Sequence, residues 1–104
     1  MSRYALRRDD CEPAIVAALR AVGASVQTLT ETGCPDLLVG FRGVNYLLEC
    51  KEAHGKSGKG HRKTASGLRA SQEDWFGRWK GAAPVVVTTP EEALAAIGAV
   101  VKRQ

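Results

Sequence analysis

The sequence predicts an α/β domain with the element order α-β-β-β-α-β-α, a mixed central sheet flanked by helices. Three observations carry that prediction. Apolar residues recur at helical spacing near both ends of the chain. Two apolar runs, Asp36–Phe41 and Asn45–Lys51, are separated by so short a turn that they must form an antiparallel hairpin. A valine strand then follows a second helix, and a right-handed crossover through that helix lays it parallel to its predecessor.

The first helix is expected from about Asp10 to Val22. Asp9 or Asp10 is placed to cap it, and Pro13 suits a first turn, where its missing N–H is not needed. Ile15, Val16, Leu19 and Val22 make its apolar face, and Gly23 stops it. Ser25 to Thr30 alternates polar and β-branched residues, as a strand with one wetter face does. Gly33 ends that strand, and the hairpin follows, turning at Arg42 and Gly43.

Residues 52–69 are rich in Gly, Ser and Lys, have neither helical nor strand period, and read as a mobile basic loop. Ser71 opens the second helix, with Gln72, Glu73 and Asp74 in the first turn, where acids suit the helix dipole. Trp75, Phe76 and Trp79 form an aromatic stripe, expected in a core or a dimer interface, and Gly81 stops the helix. Pro84–Thr88 is continuously apolar, as a strand buried on both faces would be. Thr89-Pro90-Glu91-Glu92 is a helix start with an N-cap Thr, Pro at the first position and Glu at the third. Leu94, Ile97 and Val101 fall on the core side of that last helix.

A length of 104 residues suits a single domain spanning 1–104, with one modest core. Hydrophobic content of 44% and charged content of 25% exclude wholesale disorder. No apolar run is long enough for a membrane span, and the N-terminus lacks the apolar stretch of a signal peptide. Three widely spaced cysteines, with no CxxC pair, fit a reducing, cytosolic setting. Net charge is +4, but Lys56, Lys59, Arg62, Lys63 and Arg69 put +5 into the segment from His54 to Arg69, leaving a near-neutral body. Such a segment is a footprint for a phosphate backbone, or else a solvated, solubilising loop.

The charges inside the hairpin carry the chemistry. Side chains on a strand alternate, so Glu49 and Lys51 share a face and Cys50 takes the other. Asp36, at the start of one strand, comes beside the end of its partner. Two carboxylates and an ammonium then meet at one end of the sheet. Converging carboxylates repel, and one protonates unless a cation enters. Mg²⁺, or Mn²⁺, suits carboxylate oxygens, and the backbone carbonyl of Cys50 is a further ligand. The ion acidifies a coordinated water for attack on a phosphodiester. Lys51 is suited to position that water, to favour its hydroxide form or to neutralise charge in the transition state. The plain alternative is a cross-strand ion pair on a solvated face.

Pro35-Asp36, followed thirteen residues later by Glu49-Cys50-Lys51, resembles the PD-(D/E)xK nuclease signature. The element order is similar to that superfamily's restriction-endonuclease-like core. Within it, the chain resembles stand-alone VRR-Nuc domains, often phage-encoded. The likeness rests on Glu12 in the first helix, Gly33-Cys34-Pro35-Asp36 before the second strand, the ExK strand, the basic Gly-rich loop leading to Ser71-Gln72, and the closing PVVVTTPEEALAAI. The resemblance implies that Asp36 and Glu49 bind a divalent metal and that Lys51 assists the attacking water. It implies a metal role for Glu12, direct or through water, and a water-orienting or substrate-contacting role for Gln72. It also implies a DNA endonuclease that leaves a 5′-phosphate and a 3′-hydroxyl, and a homodimer acting on four-way junctions. One departure is that Pro13 disfavours helical backbone at Glu12, so Glu12 is expected at the helix entrance.

Other chemistries fit less well. Cys50, His54 and His61 lack tetrahedral zinc spacing. HGKSGKG lacks the GxxxxGK[ST] spacing of a nucleotide-binding loop. Two rival classes stay open: a nucleic-acid-binding module without turnover that uses the basic loop, and a basic protein whose partner is another protein.

Overall fold

The computed structural model of the protein describes residues 10–52 and 70–99. It is a compact α/β fold. Helix α1 (Glu12–Ala21) leads into strands β1 (Ser25–Thr28), β2 (Leu37–Phe41) and β3 (Val44–Cys50), then α2 (Ala70–Arg78), β4 (Val85–Val87) and α3 (Pro90–Ala96). The sheet order is β1-β2-β3-β4; the first two pairings are antiparallel and β3 with β4 is parallel.

The hairpin register follows from its turn. Arg42 and Gly43 both have positive φ, 51° and 81°, as a two-residue type I′ turn requires. Phe41 therefore pairs with Val44, and the ladder runs to Leu37 opposite Leu48. That register buries Leu37, Val39, Leu48 and Cys50 on one face of the sheet. Ile15 and Leu19 of α1, Val87 of β4, Ala93 of α3 and Ile97 close over them as a single core. Full burial of each large aliphatic side chain contributes about 1.5–3 kcal/mol. Glu12 precedes Ile15 by three positions on the same helical stripe, so the core-facing side of α1 begins with an acid.

Several local expectations change. The first helix starts at Glu12 and its N-cap is Cys11, which makes no side-chain cap bond. The Asp10 N–H instead donates to Glu52 Oε2 at 2.9 Å, and Asp9 lies outside the described residues. Glu12 stands at the helix entrance, as Pro13 dictates. The valine strand is not buried on both faces: among the described residues β4 is an edge of the sheet, and Val85 and Val86 remain 42% and 43% exposed. A continuous valine run reports strand propensity, while its place in the sheet is set by strand order. Helix α2 has no buried residue, so its aromatic stripe is not in the core; Trp75 and Trp79 stack on one another at 4.5 Å between centroids. The last helix starts as expected, with the Glu92 N–H donating to Thr89 Oγ1 at 3.1 Å. The Glu92 carboxylate reaches one residue further back than in a standard capping box, accepting from the Thr88 N–H and hydroxyl. On the core side, Ala93 takes a buried place beside Ile97 while Leu94 is only partly buried, and Val101 lies outside the described residues.

The turn before β2 is sterically tight. Gly33 has φ +84°, and a Cβ there would lie 2.8 Å from the Ser71 carbonyl oxygen of α2. Gly33→Ala is expected to cost about 1–3 kcal/mol in denaturant unfolding, through backbone strain plus that clash. Gly43→Ala, with nothing within 4 Å of its Cβ, is expected to cost less.

Candidate functional site

Asp36 sits just before β2, where the β2–β3 ladder ends. Its carboxylate replaces a backbone carbonyl as acceptor, taking the Cys50 N–H on Oδ2 at 2.8 Å. This bond fastens the acid to the last residue of β3. Strand alternation then separates two environments. Glu49 and Lys51 lie on the α2 side of the sheet, and the Cys50 side chain joins the α1 side with Leu48.

On the α2 side, Glu49 and Lys51 are bridged by Gln72. The Gln72 amide donates to Glu49 Oε2 at 2.6 Å, and its carbonyl accepts from Lys51 Nζ at 3.1 Å. Lys51 Nζ also lies 3.3 Å from Glu49 Oε2. The amide thus meets a negative group with its N–H and a positive group with its oxygen, which fixes its orientation. Both the Gln72 amide and the Lys51 ammonium converge on one oxygen of the Glu49 carboxylate. The other, Oε1, is buried without a hydrogen-bond partner among the described residues, in a residue only 1% exposed. Burial first, then the Asp36 carboxylate, push Glu49 up to about 7 against the opposing pull of Lys51 and Gln72.

On the α1 side, the helix entrance is stitched to the end of β3. The Cys11 thiol donates to the Lys51 carbonyl at 3.4 Å, next to the bond from Asp10 to Glu52. This stitching places Glu12 at 5% exposure, with ligand atoms of Glu12, Asp36 and Cys50 all within 4.8 Å of one another. Asp36 is the residue common to both sides, since its charge acts on Glu49 and on Cys50 alike.

Asp36, Glu49, Lys51 and Gln72 are therefore gathered at one rim, with Glu12 reaching it from α1. The arrangement has the parts for a divalent cation site: buried carboxylates, an unused carboxylate oxygen and an adjacent ammonium. The Cys50 thiol takes the face opposite Glu49 and Lys51, as strand alternation predicts, and there it lies within 4.8 Å of Glu12 and Asp36 carboxylate oxygens. The available signal was the shared helical stripe of Glu12, Ile15 and Leu19, which lies over the Cys50 face. Lys56, Lys59, Arg62, Lys63 and Arg69, with His54 and His61, lie outside the described residues. No helix among the described residues is long and apolar enough to cross a membrane. No protein-family model matches the chain, and neither does a curated protein or a solved structure.

The Glu49 carboxyl has a signature in pH-dependent stability. The folded state holds its proton to a higher pH than the unfolded chain does. Metal-free stability should therefore fall as pH rises between about 4.5 and 7, then level off. The contribution is on the order of 2–3 kcal/mol. Urea unfolding in EDTA across this range should show that slope in the native protein and a flatter one in Glu49→Gln.

Proposed function

We propose that the chain is a divalent-metal-dependent DNA endonuclease of the PD-(D/E)xK type, with a restriction-endonuclease-like core similar to stand-alone VRR-Nuc domains. The observation that carries the reading is the buried Glu49 Oε1 without a hydrogen-bond partner, next to a second carboxylate. An anionic oxygen in that position costs free energy unless a cation neutralises it. Hard carboxylate oxygens fit Mg²⁺ or Mn²⁺. Asp36 and Glu49 would hold the ion, with Glu12 and the Cys50 carbonyl as further ligands. When bound, the ion acidifies water for attack on the phosphodiester and offsets charge on the phosphate.

The chain's own groups supply the rest. Lys51 is 16% exposed at its side chain, open enough to meet a phosphate and buried enough for its charge to act strongly. Its ammonium offsets the negative charge that builds as phosphorus becomes five-coordinate. Gln72 holds Lys51 and Glu49 in register and leaves Oε1 of the acid uncommitted. Cleavage on the 3′-oxygen side of the phosphorus leaves a 5′-phosphate and a 3′-hydroxyl. The +5 segment from His54 to Arg69 supplies phosphate contacts without base reading, so the substrate class is DNA recognised by shape, branched DNA above all. A homodimer would place two such rims for symmetric cuts at a junction.

The test is cleavage of linear and four-way-junction DNA with Mg²⁺, with Mn²⁺ and with EDTA. Cleavage should require metal, and Asp36→Ala or Glu49→Ala should lower the rate roughly 1,000-fold. Lys51→Ala should cost about 100-fold. A non-catalytic nucleic-acid binder would instead show salt-dependent DNA affinity and no turnover with either ion. In both readings, replacing Lys59, Arg62 and Lys63 by Ala should weaken DNA binding and lower the magnitude of the slope of log K against log salt by about 3, as read by fluorescence anisotropy.

A further inference from the structure

We propose that the Cys50 thiol, the Glu12 carboxylate and the Asp36 carboxylate form a site for a zinc-class divalent cation. This site shares Asp36 and Glu12 with the hard-ion position, so a bound zinc-class ion turns the nuclease off. The inhibitory half of the proposal rests on the nuclease reading; the binding half does not.

The three donors come from three separate parts of the fold: the entrance of α1, the turn before β2 and the end of β3. Their ligand atoms lie within 4.8 Å of one another. A tetrahedral zinc ion, with bonds of about 2.0–2.3 Å, needs its ligands roughly 3.5 Å apart, a closure of about 1 Å that side-chain rotation supplies. Cys50 and Glu12 are both buried, which keeps water from competing for the ion. A third acid stands one residue from Cys50 on the opposite face of β3: Glu49 is 1% exposed, and its Oε1 has no hydrogen-bond partner among the described residues. The thiol is the selective element. Sulfur favours zinc-class ions, whereas Mg²⁺ takes oxygen ligands. Cys11 is committed to the Lys51 carbonyl, which leaves Cys50 as the ligating thiol. Binding releases the thiol proton to solvent and changes no oxidation state. One thiolate and two carboxylates then face a doubly charged ion.

Co²⁺ is the probe, because a cobalt–thiolate bond gives a strong near-ultraviolet charge-transfer absorption. Titrating the full chain with Co²⁺ should produce that absorption at one equivalent. Cys34→Ser should keep it and Cys50→Ser should lose it, with circular dichroism verifying the fold of each. Absence from the native protein, or persistence in Cys50→Ser, overturns the site. Should Cys50→Ser fail to fold, Glu12→Gln decides with the thiol intact: it should require at least ~10-fold more Co²⁺, and an unchanged affinity overturns the assignment. Zn²⁺ added to the Mg²⁺-driven cleavage assay should inhibit, with activity restored by a zinc chelator. Zinc that binds without slowing cleavage overturns the shared position. Absence of any cleavage with Mg²⁺ alone overturns the nuclease reading, and the cobalt absorption then judges the thiolate site by itself.

Discussion

The bond from the Cys50 N–H to the Asp36 carboxylate is the contact on which the site is built. A sheet ladder normally continues backbone to backbone. Here one rung is completed by a side chain, so an acid stands where a strand would otherwise have begun. That substitution brings Asp36 to the boundary between the two faces of β3. One face carries Glu49 and Lys51, the other Cys50. A carboxylate held elsewhere could act on one of these faces but not on both.

The buried acid beside it is an unfavourable arrangement that the fold only partly offsets. Lys51 and Gln72 converge on the same oxygen of Glu49 and leave its neighbour unserved. A protein selected for stability alone would do better with an apolar residue of similar volume. The site differs in this from an ordinary surface ion pair, in which both oxygens meet solvent. The two faces also differ in chemical character. Oxygen and nitrogen groups populate the α2 side, whereas the α1 side adds sulfur within a well-packed core.

The order of elements, the hairpin and the gathering of charges were legible because each depends on local chemistry. Arg42-Gly43 between apolar runs specifies a two-residue turn, and the turn fixes the register that brings Asp36 to Cys50. Thr89, Pro90 and Glu92 mark a helix start by their backbone preferences. What was not legible depends on the assembly of distant parts. The valines of β4 say strand, but whether a strand is central or at an edge is decided by which neighbours reach it. The cap position of α1 falls to Cys11, whose thiol donates to the Lys51 carbonyl, a pairing set by how the helix docks beside the end of β3. Cys50 was placed on the correct face by alternation, yet its acidic company came from Glu12 on another element.

Helix α2 brings Gln72 to Glu49 and Lys51 while burying none of its own residues. Its departure would uncover little apolar surface and would leave the core under α1 and α3 intact. Substitutions along it are therefore tolerated by the scaffold far more readily than those in α1. The segment that carries Gln72 is free to diversify, while the one that carries Glu12 is constrained by packing. Descendants of this chain could thus alter the surroundings of Glu49 and Lys51 without first solving a new folding problem.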